Sequence, residues 1–86
     1  MIHSVTQMSH SSAELLELEI PSGSPMDNKP LKELKFPKGA LVAAIANESI
    51  VLIPNGETIL NIGNRAFVYC QPDAIAGVEK LFATRK

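Results

Sequence analysis

The sequence predicts an α+β fold: a small, mostly antiparallel sheet with a short helix after the first strand and a C-terminal helix. Three observations predict it. An apolar–acidic alternation over Ala13–Ile20 and apolar runs of strand length at Leu41–Asn47, Ile50–Ile53 and Ala66–Gln71 recur along the chain. Turn-forming clusters separate them, among them Asn47-Glu48-Ser49, Pro54-Asn55-Gly56 and Asn61-Ile62-Gly63-Asn64. Ile75, Val78, Leu81 and Phe82 follow at helical spacing near the C-terminus.

Met1 to Ser12 is polar, rich in Ser, and without a period. It is expected to be a mobile leader or linker, with residues 13–86 forming the domain. In Ala13–Ile20, Leu16, Leu18 and Ile20 alternate with Glu17 and Glu19, which fits a half-buried strand. A short helix stays open there, because Glu and Leu both favour it. Pro21-Ser22-Gly23-Ser24-Pro25 reads as a loop. Asn28 is a candidate cap for a short helix over Lys29–Leu34, with Pro30 in its first turn and Leu31 and Leu34 on one face. Phe36-Pro37-Lys38-Gly39 ends it.

Leu41–Asn47 reads as a buried strand and Ile50–Ile53 as its return, joined by Asn47-Glu48-Ser49. Pro54-Asn55-Gly56 stops that strand, and Thr58–Leu60 leads into the turn at Asn61–Asn64. Pro72-Asp73 opens the last helix, with Gln71 or a neighbour as cap. Gly77 weakens that helix by roughly 1 kcal/mol relative to Ala and suits a close approach by a neighbour. Arg85 and Lys86 suit the negative end of the helix dipole.

Composition narrows the function classes. Eighty-six residues make one domain whose own core is modest, so oligomerisation or attachment to a larger protein would add stability. The formal net charge is −1. That value does not suggest a nucleic-acid or anionic-membrane partner, since both usually demand a basic face. A single cysteine, Cys70, leaves no internal disulfide. The longest apolar run, Ala40–Ala46, falls far short of the about 20 residues of a membrane span. The first residues lack the basic start and apolar core of a signal peptide. The expected setting is cytoplasmic and reducing, without direct membrane insertion.

The segments that carry a resemblance are Pro30-Leu31-Lys32-Glu33-Leu34, then Phe36-Pro37-Lys38-Gly39-Ala40-Leu41-Val42-Ala43-Ala44-Ile45. Next come Ile50 to Leu60 and Gly63-Asn64-Arg65, followed by an apolar strand and a helix. In this order and spacing, over roughly Glu14 to Phe82, they resemble the TrkA-C domain. That domain is the C-terminal half of RCK modules that regulate bacterial potassium transporters and channels. The resemblance implies a compact α+β regulatory domain over residues 13–86 that pairs with a copy of itself. It also implies, for several family members, a small regulator such as cyclic di-AMP or a divalent cation in the dimer cleft near the central hairpin. A membrane cation transporter or channel is the implied partner, which would place the domain at the inner face of the membrane. The Rossmann half of such modules is not expected here, since nothing reads GxGxxG after a strand. Two positions depart from the pattern. Ala46-Asn47 stands where a basic residue often follows the hairpin isoleucine, and Gly63-Asn64 stands where Gly-Asp is common.

The hairpin is the candidate ligand site. Ile45 and Ile53 offer apolar walls to a purine, Asn47 a donor and acceptors, and the backbone beside Pro54 a further amide or carbonyl. Ala46 lies between them. A rival reading makes the domain a purely structural dimerisation or docking module, with Val42, Ala44 and Val51 as an apolar seam and no ligand. An enzyme is not expected, because no nucleophile–base pair or carboxylate dyad falls on ordered elements. His3 and His10 lie in the leader without a frame for a metal, and Cys70 reads as a buried structural thiol. Glu14, Glu17 and Glu19, and the lysines at 29, 32, 35 and 38, read as solvated faces.

Overall fold

A computed structural model describes residues 2–7 and 13–82 of the chain. Among the described residues, seven strands form two sheets. β1 (Ile2–Gln7), β2 (Glu14–Glu19), β7 (Arg65–Cys70), β4 (Ala40–Ala46) and β5 (Val51–Leu52) make a five-stranded sheet in the order β1-β2-β7-β4-β5. Every pairing in it is antiparallel. β3 (Lys29–Pro30) and β6 (Ile59–Leu60) make a second, two-stranded sheet. α1 (Ile75–Leu81) closes the described chain. The architecture is α+β, as the alternation of short apolar runs and turns predicts.

The core lies on one face of the large sheet. On β7, Ala66, Val68 and Cys70 point to it and are fully buried. Their cross-strand partners on β2 are Leu18, Leu16 and Glu14. On β4 they are Ile45, Val42 and Ala40. α1 adds Val78, and Phe82 follows it; Ile20, Met26 and Leu60 come from the connections. Each fully buried aliphatic or aromatic side chain here is worth about 1.5–3 kcal/mol over its exposed state. The opposite face, with Leu15, Phe67 and Tyr69 at its centre, carries no covering element among the described residues.

Four expectations differ from the structure. Residues 1–12, read without an element, contain strand β1, while Met1 and residues 8–12 lie outside the described residues. β1 pairs along β2 and satisfies the N–H and C=O groups of an edge the sheet would otherwise leave open. The β-branched Ile2, Val5 and Thr6 suit a strand even without a clear period.

The helix expected over Lys29–Leu34 is a single 3-10 turn, Leu31–Glu33. Lys29 and Pro30 are extended and pair with β6 instead. Asn28 takes a left-handed backbone (φ 61°) and donates its N–H to the Leu60 carbonyl (2.7 Å), so it turns the chain and caps nothing. The Leu31 and Lys32 N–H groups donate to the Thr58 and Gly56 carbonyls, both at 2.9 Å. The donors a helix start would leave open are used by the neighbouring loop, and tertiary pairing overrides local propensity.

Leu41–Asn47 is not a buried strand. Only Ile45 is fully inside, and Leu41 is 64% exposed. A β-bulge lies between Val42 and Ala44, whose partners Val68 and Phe67 are adjacent on β7. The extra residue, Ala43, resets the alternation, so Val42 and Ile45 both face the core although they are three apart. The return strand is shorter than Ile50–Ile53, and every residue of that run is exposed.

The last helix begins one step later than read. Pro72–Ala74 is a 3-10 turn entered from an extended Gln71, whose side chain makes no cap hydrogen bond, and α1 follows directly. Arg85 and Lys86 lie outside the described residues.

Candidate functional site

Asn47 shapes the end of the β4–β5 hairpin. Its N–H donates to the Ile50 carbonyl at 3.0 Å. Its side-chain Oδ1 accepts the N–H groups of Ser49 (3.4 Å) and Ile50 (3.2 Å). Asparagine mimics a backbone turn in this way. The acceptor is therefore committed to the hairpin, and the Nδ2 amide is what the side chain offers outward.

The Asn61–Asn64 turn stands opposite and is tied down at four points. The Ile62 N–H donates to Asp27 Oδ1 and the Asn61 N–H to Asn64 Oδ1, both at 2.9 Å. The Gly63 N–H donates to the Ile20 carbonyl, and the Ile20 N–H to the Asn64 carbonyl, again at 2.9 Å. Gly63 sits at φ 88°, a backbone that side-chain-bearing residues rarely adopt.

Two grooves open between these turns and share Asn47, Glu48 and Gly63. The first, about 280 Å³, continues onto the uncovered sheet face past Ala46, Arg65, Phe67 and Glu17. Arg65 is directly cross-strand from Ala46 and donates from Nη1 to Glu17 Oε2 at 3.2 Å. Position 46 is alanine, and β7 places the Arg65 cation directly across from it. The second groove, about 460 Å³, is bordered by Ile50 on one turn and Ile62 on the other, both more than half exposed. A third, about 320 Å³ and more apolar, lies around Leu31, Phe36, Val42 and Pro54.

The expected ligand residues do not converge on one surface. Ala46 and Asn47 border the first groove, and Asn47 also borders the second. Pro54 borders the third. Ile53 is 87% exposed and borders none of the three. Ile45 is only 5% exposed and packs in the core, so it offers no wall to a ligand. Of the expected seam, Ala44 and Val51 lie on the uncovered face, by their pairing with Phe67 and Ala46, while Val42 lies on the core side. The bulge separates them.

Glu48, Arg65, Phe67 and Ile62 carry no sequence signal for a site, and Glu17 reads there only as part of a solvated face. Period-two alternation in β7 puts Arg65 and Phe67 on one face. Only the pairing of β7 with both β2 and β4 brings Glu17 and Ala46 beside them.

Cys70 is fully buried on the core face, with Sγ 3.9 Å from the Val68 carbonyl. Burial, and then the negative charges of Glu14 and Glu79, push its thiol up from the ordinary value. It is held as a protonated, packed side chain. Among the described residues no three or more His, Cys, Asp or Glu side chains are grouped to hold a metal ion. Among the same residues no helix is long and apolar enough to cross a membrane.

Two antiparallel sheets and helix α1 make this a small α+β domain. The chain belongs to the TrkA-C domain family, whose model matches residues 15–83. It is similar to the Trk system potassium uptake protein TrkA homolog 2 of Methanosarcina mazei, at 36% identity over 81 residues. Those cover 94% of this chain and 18% of that protein. It is also similar to the Trk system potassium uptake protein TrkA of Azorhizobium caulinodans, at 28% identity over 94% of this chain and 18% of that one. The Trk system potassium uptake protein TrkA homolog of Pyrococcus horikoshii is 31% identical over 86% of this chain and 33% of its own length. The chain therefore spans a third or less of these relatives.

Proposed function

We propose that this chain is a non-enzymatic regulatory domain of a potassium uptake system, acting as a homodimer on the cytoplasmic side of a membrane cation transporter. Family membership and the names of the relatives support the potassium system. The observation that carries assembly is the run Ile50, Val51, Leu52, Ile53: four consecutive apolar side chains, all exposed, at the edge of the large sheet. Contiguous exposed apolar surface on an unpaired strand edge suits a protein contact. The two grooves lie at the turn of that hairpin. In a dimer joined there, a ligand would bridge copies and bias their geometry through its different affinity for two arrangements.

The ligand chemistry we propose is a cyclic dinucleotide such as cyclic di-AMP. Ile50 and Ile62 offer apolar contact to a base, Asn47 Nδ2 a donor, and Arg65 a charge for phosphate. A divalent cation is the weaker choice, because Glu17 is already engaged with Arg65. The exposed hairpin run also favours a second reading, a purely structural dimerisation or docking module with no ligand.

Light scattering over a range of concentrations, followed by calorimetric titration with cyclic di-AMP, tests both. A dimer that binds, with binding lost in Asn47→Asp, supports the sensing domain. That variant keeps the turn's Oδ1 acceptor and loses the Nδ2 donor. A dimer that takes up no cyclic di-AMP leaves the structural module. A monomer at all concentrations overturns both dimeric readings.

A further inference from the structure

We propose that Asn55-Gly56 is a site of spontaneous deamidation in the folded protein, converting the loop after the hairpin into an aspartyl or isoaspartyl form. Of the five asparagines, at 28, 47, 55, 61 and 64, only Asn55 is followed by glycine. Glycine has no Cβ to obstruct attack by its own nitrogen. Both residues are exposed.

A hydrogen bond of the loop acts on the carbonyl that is attacked, and the attacking amide donates to no described group. Asn55 Oδ1 accepts the Glu57 N–H at 2.8 Å. That donor polarises the side-chain carbonyl and stabilises the charge that develops on its oxygen. The Gly56 N–H donates to no group of the described residues, and Gly56 itself is exposed. The other asparagines differ. The N–H after Asn61, that of Ile62, is held by Asp27, and Asn47 is followed by the side-chain-bearing Glu48.

The step balances with water alone. Base takes the Gly56 amide proton, and that nitrogen attacks Asn55 Cγ. The C–N bond to the side-chain amide breaks, and ammonia leaves. The resulting five-membered succinimide is opened by one water at either carbonyl. Opening at the side-chain carbonyl gives aspartate, and opening at the main-chain carbonyl gives isoaspartate. No oxidant or cofactor is needed.

The two products act differently. Aspartate keeps an oxygen for the Glu57 N–H. Isoaspartate inserts a methylene into the backbone of a turn closed by two further bonds: Asn55 N–H to Thr58 Oγ1 (2.9 Å) and Thr58 N–H to the Asn55 carbonyl (3.1 Å). The same loop holds the 3-10 turn through Gly56 O and the Lys32–Glu57 ion pair at 2.8 Å. Isoaspartate therefore loosens the contact between the loop and Leu31–Glu33.

The test is incubation of the folded 86-residue chain in mildly alkaline buffer, with charge-variant separation, peptide mass mapping and isoaspartyl methyltransferase labelling. The expected result is loss of the amide at Asn55 severalfold faster than at any other asparagine, with isoaspartyl label on that peptide and none there in Asn55→Gln. The labelled fraction should melt at a lower temperature than fresh protein, while Asn55→Asp melts with it. An Asn55 peptide that stays intact while the unfolded chain deamidates there overturns the proposal. So does deamidation spread evenly over the asparagines.

Discussion

Gly77 of α1 rests on the ring of Pro37: a Cβ placed on Gly77 would lie 3.1 Å from Pro37 Cγ and 3.3 Å from Pro37 Cβ. A proline ring has no rotamer to retreat into, so helix and Phe36–Gly39 segment are packed as closely as a missing side chain allows. Glycine costs the helix roughly 1 kcal/mol of propensity. Overpacking of this kind costs about 1–3 kcal/mol. Gly77→Ala is therefore expected to lower stability by about 1 kcal/mol net, read as a lower urea midpoint with unchanged slope. A stabilised variant would show that the segment yields.

Ser24 is the only buried polar side chain among the described residues. Its hydroxyl donates to the Leu81 carbonyl at 2.9 Å and accepts the Met26 N–H at 3.2 Å. It closes the C-terminal end of α1 from a loop 57 residues away in sequence. Ser24→Ala strands both groups and should cost about 1–3 kcal/mol. Thermal unfolding checks this, and an unchanged midpoint would mean water replaces the hydroxyl.

Asp27 is expected to matter for order in one turn more than for global stability. Asp27→Ala removes the acceptor of the Ile62 N–H. In amide exchange, Ile62 should lose protection, while Val68 in the core strand changes little. Global stability should fall by no more than about 1 kcal/mol. This turn borders both hairpin grooves, so under the proposed ligand reading cyclic dinucleotide affinity should fall with it.

Cys70 gives stability a dependence on alkaline pH. Its thiol is raised in the folded state, first by burial and then by Glu14 and Glu79. Above the ordinary thiol value the unfolded chain has lost this proton and the folded chain keeps it. The unfolded state then binds fewer protons, and stability falls as pH rises. Below that value the term vanishes. Cys70→Ala should flatten the alkaline slope of the urea midpoint at a cost in packing, and thiol reagents should label the native protein only as fast as it opens.

Strand and turn types were legible because local chemistry decides them. Leu16, Leu18 and Ile20 alternate with glutamates, and Gly63 takes a positive φ that few residues other than glycine reach. The short helix at Lys29–Leu34 was misread for the same reason in reverse. Its propensity is real, but Thr58, Gly56 and β6 offer its backbone better partners. Ile45 was misplaced as a ligand wall because a bulge at Ala43 cannot be seen in a run of small apolar residues.

The sequence by itself determined a small α+β chain and the turns that end its strands. Those follow from side-chain periodicity and backbone freedom, which are local. Tertiary structure alone decided that β7 lies between β2 and β4, which sets Arg65 beside Ala46 and Glu17. It alone decided that Asp27 pins Ile62, and that Ile45 faces inward while Ile53 does not. The physical reason is common to all three. Pairing between strands tens of residues apart is settled by which edges bury the most apolar surface with every backbone group satisfied, and that is a property of the whole sheet.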